Sequence, residues 1–393
     1  MGVPAGTPGR GCCAWLLLAC LASSAAASRD ADGWMYGRQG RALAGAAAAR
    51  TGAATAAGDA TVTAAVVAVQ KPTGQPYEIG NITVQDVWVD PAAGRDTNTG
   101  ASRGQALRTL RAALRRIPAR RTLTAGYRIR IKRGRMTEQD MSGHLYFIGV
   151  RFELGGDHPL HCERCVNLLL RGVTVRGLCP GPYTECPVQE AAKLNQCTGV
   201  WVEDSARPVA DIGWGWNAAF DCMVCQYGHL LNSRFHHGGW CAFVKGGSAH
   251  WLVAGNEVHH CDQSGLSAGQ GTGFDYLVSP WIRYDSYDMY NNYIHDVEGA
   301  GLGVWGCYDC LLAHNTLVRV GRRSHTIEVT YGPRICTGDN VARCAAHHAA
   351  GGWGPPSPGG PDISIPNKHV LLLNNLVFNP PPYRSCLCGL KVW

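Results

Sequence analysis

The chain has 393 residues, 50 of them glycine, with 17% charged residues and a formal net charge of +7. So much glycine with so little charge argues against a helical bundle, whose outer faces need charge, and requires frequent turns. Past the first residues no stretch approaches the roughly 18 consecutive apolar residues of a membrane helix, so no membrane span is expected.

At the N-terminus Arg10 precedes an apolar run from Cys12 to Leu21, and small residues follow from Ser23 to Ala27. This is the pattern of a signal peptide over 1–27, and a retained signal anchor is the rival. Cleavage leaves fifteen of the 18 cysteines in a chain bound for an oxidising compartment. Most are then expected in disulfides, and the odd number leaves one thiol over. Asn81-Ile82-Thr83 is a glycosylation sequon that agrees with secretion into a cell wall or extracellular matrix. Residues 28–80 are rich in Ala, Gly and Thr without periodicity and are expected to be a disordered leader, leaving 81–393 as the folded domain.

Val87-Trp88-Val89-Asp90 predicts a short strand, and Pro91 to Gly100 a run of turns. Leu107, Leu110, Leu114 and Ile117 then recur at helical spacing, with arginines on the opposite face and Pro118 as a stop. Tyr127, Ile129 and Ile131 alternate with Arg128, Arg130 and Lys132, which predicts a half-buried strand. Helix and strand together suit a cap over the open apolar end of a repeat array. From Arg103 to Arg135 the chain holds twelve basic residues. Either they are a solvated helix face or they attract a polyanion, and secretion favours an acidic polysaccharide over nucleic acid.

The strongest pattern is a repeat. Asn232, Asn256, Asn292 and Asn315 are separated by 24, 36 and 23 residues, as coils of one solenoid with an insertion in the second interval. Ten residues on stand Ala242, Leu266, Leu302 and His325; twelve on stand Val244, Ala268, Val304 and Ile327. That alternation predicts a strand with an inner face, and the column thirteen on, Lys245, Gly269, Trp305 and Glu328, is then outward. Four after each Asn stand His236, His260, Asp296 and Arg319, a polar stripe. The fold expected is all-β, a right-handed parallel β-helix with an N-terminal amphipathic capping helix and insertions near 271–289 and 336–361. Asn375 reads as a further coil.

Val89-Asp90-Pro91-Ala92-Ala93-Gly94-Arg95-Asp96 through Gly100, leading into Leu107-Arg108-Thr109-Leu110, resembles the leading segment of secreted pectate-lyase-like β-helices. Phe243-Val244-Lys245-Gly246-Gly247-Ser248 is similar to the coil that carries the catalytic lysine in some polysaccharide lyases of that superfamily. The resemblance implies β-elimination on a uronate chain, with Lys245 as base, and calcium held by carboxylates nearby. This sequence offers Asp262, Asp296 and Glu298 for calcium, but no acidic cluster in the coil of Lys245.

β-Elimination needs a base and a cation that stabilises the enolate. Lys245 serves as base if its proton affinity is lowered, and Arg319 is the expected carboxylate partner; the plainer reading is a surface lysine beside a Gly-Gly turn. His236-His237 and His259-His260 fall one coil apart, so His236 and His260 are candidates for proton transfer or for a divalent metal, against polar stacking at a corner. Trp281, Arg283 and Tyr284 in the insertion, with Trp305 and Glu328, are candidate substrate contacts, since aromatic faces pack on sugar rings. Cys162/Cys165, Cys222/Cys225 and Cys307/Cys310 are expected as disulfides rather than zinc ligands. Gly301-x-Gly303-x-x-Gly306 lies inside a coil and leads into no helix, which excludes a dinucleotide site. The expectation is a secreted monomer that binds, and by β-elimination or epimerisation modifies, an acidic polysaccharide. The alternative is a non-catalytic adhesion module using the same surface.

Overall fold

The structure is a computed structural model that describes residues 83–118, 125–132, 145–154, 157–178, 187–204, 210–273, 287–349 and 362–381, with short stretches at 28–29, 35–36, 76–77, 140–141 and 390–392. Residues 19–68 form a unit of their own, in which Ser28–Arg29 pairs antiparallel with Met35–Tyr36. The signal-peptide segment 1–27 lies outside the described residues.

The described residues from 83 onward form a parallel β-helix, as the repeat predicts. One face is an eight-stranded sheet running from Tyr146–Ile148 through Val166–Arg171, Thr198–Glu203, Gln226–Leu231, Ala249–Ala254, Tyr287–Tyr290 and Tyr308–Ala313 to Lys368–Leu373. Successive strands on this first face are parallel, and His229 pairs with Leu252, 23 residues on, the length of a coil without insertion. A 14-stranded sheet supplies the other two faces. Asp211–Met223, Arg234–Lys245 and Glu257–Gly269 run across the corner between them, with a break in register where they bend. The second face therefore begins each coil after the first, and the third carries Glu190–Asn195, the latter halves of those long strands, Ala300–Trp305 and Ile327–Thr330. Inside lie columns of apolar side chains, such as Phe235, Val258, Ile294 and Leu317 on the second face and Ala242, Leu266 and Leu302 on the third.

The corner from first to second face is closed by an asparagine ladder. Asn256 Nδ2 donates to Asn292 Oδ1 at 2.9 Å, Asn292 to Asn315 at 2.8 Å and Asn315 to Asn375 at 2.9 Å. Each Oδ1 also accepts the backbone N–H of the coil before it, and each Nδ2 reaches a carbonyl at the end of a first-face strand. Backbone groups that a tight corner would strand are thus paired. Asn375 is the further coil expected, but Asn232 is not in the ladder. Its place is taken by Ser233, whose N–H donates to Asn256 Oδ1. Asn232 is instead the left-handed residue before the corner, in a column with Gly255, Asn291, His314 and Asn374, all at positive φ. Asparagine suits both positions, so the sequence frame slips by one residue at its first coil.

That slip and a two-residue shift in the coil of Asn315 correct several columns. His236 stacks on His259 and His295, not on His260. Ile327 and Val329, not His325 and Ile327, continue the inward stacks, and Thr330, not Glu328, follows Trp305.

The N-terminal end is capped as expected, by a shorter helix. Leu110–Leu114 is helical, with Thr109 as N-cap accepting from Ala112 N–H, while Leu107 bridges to Val89. Val84–Val89 pairs in parallel with Gly126–Ile131, and Leu110, Leu114, Ile129 and Ile131 pack on the main core. The basic run is spent here in part: Asp86 binds Arg128 and Arg130, and Asp90 binds Lys132. Three disulfides join the Cys-x-x-Cys pairs, and Cys241–Cys261 and Cys336–Cys344 add two more; Cys197 is the buried free thiol among the described residues. No described helix is long and apolar enough to cross a membrane.

Two buried positions give direct tests of this packing. A Cβ on Gly228 would lie 2.5 Å from three ring atoms of Trp251, which fills the interior of the next coil. Gly228→Val is expected to cost about 2–3 kcal/mol by overpacking, read as a lower urea midpoint; an unchanged midpoint contradicts the assigned register. His229 is 1% exposed, and neither ring nitrogen has a partner. Burial pushes its pKa down to about 4. The folded state holds it neutral, so its contribution is complete above the unfolded pKa of about 6.5 and is lost as pH falls toward 4. Stability should drop by up to about 3 kcal/mol across that window at roughly 1.4 kcal/mol per pH unit. His229→Phe should flatten the slope; an identical slope in the variant contradicts the assignment.

Candidate functional site on the third face

Outward positions of the third face bring together charged side chains that lie far apart in sequence. Glu190, Lys193, Asp221 and Lys245 come from three successive coils, with Lys193 paired to Asp221 and Met223 paired to Lys245 across the sheet. Lys193 Nζ contacts the Asp221 carboxylate and lies 3.8 Å from Glu190; Lys245 Nζ lies 4.0 Å from Asp221. Asn217 Nδ2 donates to Glu190 Oε1 at 2.6 Å, and His158 Nδ1 is 3.2 Å from Glu190 Oε2. Lys245 Nζ also donates to Gln270 Oε1 at 3.0 Å and sits 4.4 Å from the centre of the Phe243 ring.

This cluster is unusually dry for an outer surface. The Asp221 side chain is fully buried, and Lys193 and Lys245 are 15% and 13% exposed. Burial lowers the proton affinity of the Lys245 amine, outweighing the nearby Asp221 carboxylate, and the charge on Lys193 adds to the shift. Asp221 Oδ1 and Trp305 Nε1 are buried without a hydrogen-bond partner. Aromatic walls stand beside the charges: Trp240 meets Phe243 and Trp305 edge-on, at centroid distances of 5.5 and 4.8 Å. Between Trp240 and Trp305 the floor is small, with Ser264, Ser267 and Gly303. On the side of Met223 and Val224 the chain packs Cys336, Cys344, Ile363 and Ile365.

The other candidates from sequence fall elsewhere. Arg319 is not beside Lys245; it grips Asp296 with two bonds of 2.6 Å on the second face. His236 and His260 belong to a histidine array on that face. Glu328 lies on the third face, bound by Ser324 and by His325 Nδ1 at 3.1 Å. Trp281, Arg283 and Tyr284 lie outside the described residues. Asp262, Asp296 and Glu298 do not make a calcium cage. Asp262 is taken by Arg323, Asp296 by Arg319 and Glu298 by Arg322. Among the described residues no three acidic side chains bring ligand atoms within reach of one ion.

Glu190, Lys193, Asn217 and Asp221 were not legible as site residues. They precede the asparagine ladder, in coils where Val173 and Ala210 hold the corner position of Ser233 and Asn256. The signal that would have found them is charge within apolar strands: Lys193 and Asp221 each interrupt a stretch otherwise suited to a core.

No protein-family model matches the chain, and no curated protein sequence matches it. Two solved structures resemble it, both crystal structures of the GH136 lacto-N-biosidase from Eubacterium ramulus, one a selenomethionine derivative and one the native protein. Each is 12% identical, with TM-scores of 0.31 and 0.30; they match 63% and 62% of this chain and 54% of their own. The chain thus spans about half the length of those structures, and likeness at this level carries no argument about activity.

Proposed function

We propose that this protein is secreted, binds an acidic polysaccharide along the third face and cleaves it by β-elimination, with Lys245 as the base. The observation that carries the reading is the desolvated Lys245 amine, held beside Asp221 and Phe243 on an outward column. A lysine accepts a proton near neutral pH only when its environment disfavours the cation, as burial does here. In the proposed step Lys245 takes the proton from the carbon bearing the uronate carboxylate. The electron pair forms a double bond to the next ring carbon, and the glycosidic oxygen there departs and is protonated by water. Lys193 supplies positive charge for the enolate that develops. Trp305, half-buried on the same outward column, offers its ring to a sugar.

Glu190 and Asp221 favour a second reading. Both carboxylates reach Lys193, and paired carboxylates are the equipment of glycoside hydrolysis. A panel of uronate polymers and neutral glycans separates the two. New unsaturated ends, absorbing in the ultraviolet, are expected from the uronates. New reducing ends without that absorbance would replace elimination with hydrolysis, and binding without cleavage would leave an adhesion module.

A further inference from the structure

At the corner between the second and third faces two rows of rings run along the helix axis. The left-handed corner column of Trp214, His237, His260, Asp296 and Arg319 turns a second side chain outward in each coil, beside the ordinary outward residue of the strand. Like rings then lie over one another. Trp214 stacks on His237 at 4.4 Å and His237 on His260 at 4.9 Å; in the neighbouring row His236 stacks on His259, and His259 on His295, at 5.1 Å. Within a coil the Nδ1 atoms of His236 and His237 lie 2.7 Å apart, as do those of His259 and His260. One proton bridges each pair.

The carboxylates that face these rings are already matched by cations. Asp211 accepts from His236 Nε2 at 3.1 Å and lies 3.9 Å from Arg234, while Glu257 binds Arg234 at 2.8 Å and lies 3.5 Å from His295 Nε2. Asp296 binds Arg319 at 2.6 Å and His295 Nδ1 at 2.7 Å. Arg176, 4.9 Å above the Trp214 ring, completes the set. Arg176, Arg234 and Arg319 thus balance Asp211, Glu257 and Asp296, and the net charge of this surface is that of its histidines alone. Burial, and after it the neighbouring imidazoles, push the pKa of His237 and His259 down to about 4, so both are neutral at pH 7. Among the described residues, a further proton finds no unmatched carboxylate here and needs an anion from outside.

We infer that this surface is a proton-gated binding site for an acidic polysaccharide, at which His237, His259 and His260 take up protons as the polyanion docks. His260 is exposed and His237 and His259 are half-buried, so a ligand can reach them. The rows repeat once per coil, roughly every 4.8 Å, which lines up positive charge for an extended polymer better than for a single small anion. A bound anion favours the imidazolium form, so affinity rises as pH falls. The site shares no residue with the Lys245 cluster, and its occupancy requires no catalysis there.

The test measures binding of the full-length protein to dextran sulfate, whose charge is fixed, and to neutral dextran between about pH 7.5 and about pH 5.5, where imidazoles gain protons. Each proton taken up on binding raises affinity about tenfold per pH unit, so dextran sulfate should bind about 10–100-fold more tightly at the lower pH. Neutral dextran should not bind at either. The basic cap contributes equally at both pH values. Asparagine tolerates left-handed backbone, so His237→Asn with His260→Asn should keep the melting temperature and lose the gain at the lower pH. Should that variant fail to fold, modification of the unaltered protein by diethyl pyrocarbonate, mapped by mass spectrometry, gives a second reading: dextran sulfate should protect His237, His259 and His260, and dextran should not. Affinity independent of pH, a gain that persists in the double variant, or equal modification with the two polymers would overturn the proposal.

Discussion

Lys245→Met lowers turnover on a cleavable uronate polymer by about 10³-fold, the scale of a lost general base, while leaving the polymer bound. Methionine keeps the length and apolar stem, and Lys193 still neutralises Asp221, so the melting temperature should move by only a few degrees. With Lys245 as the base, activity of the unaltered protein should rise with pH and level off above the lowered pKa of Lys245, because the amine must be neutral to accept the proton. Turnover that survives the substitution with its pH profile intact removes Lys245 from the chemistry.

Asn292→Ala is expected to be the most damaging single truncation in the asparagine ladder. The side chain is 1% exposed and makes four hydrogen bonds: Asn256 N–H and Nδ2 donate to it, and it donates to Val253 O and to Asn315 Oδ1. Removal leaves buried donors and acceptors unpaired at about 1–3 kcal/mol each, with partial relaxation. A loss of about 4 kcal/mol corresponds to a fall in melting temperature on the order of 10 °C for a domain of this size. The same change at Asn232, which is exposed and outside the ladder, should shift melting by much less. Equal effects at the two positions would contradict the ladder as described.

The contrast between those two residues also marks how far the sequence reaches. Periodicity identified stacked parallel coils, the cap and the coil of Asn375, because burial in a solenoid repeats apolar positions at a fixed interval; the Cys-x-x-Cys disulfides were read from the number of cysteines and the expected export. It failed by one residue at Asn232, where the left-handed corner and the ladder accept the same amino acid. It failed again at Glu328, displaced by two extra residues in the coil of Asn315. Lys245 and Trp305 were legible as one outward column, Lys245-Gly269-Trp305, since the insertion between Gly269 and Trp305 lengthens the third-face interval and the Asn256–Asn292 interval equally. Glu190, Lys193 and Asp221 were not, because intervals of 28 and 22 residues separate their coils from one another and from the marked frame. Arg319 and Asp296 were assigned separate roles as carboxylate partner and metal ligand, yet lie one coil apart and bind each other. Adjacent coils place opposite charges side by side, a relation that spacing reveals only once the register is right.

A crystal of Lys245→Met soaked with a short oligouronate asks most directly where the sugar lies. The account requires a ring against Trp305, its carboxylate within hydrogen-bond reach of Lys193, and the carbon that loses its proton facing position 245. Sugar bound only on another face, or a carboxylate turned away from Lys193, would contradict it.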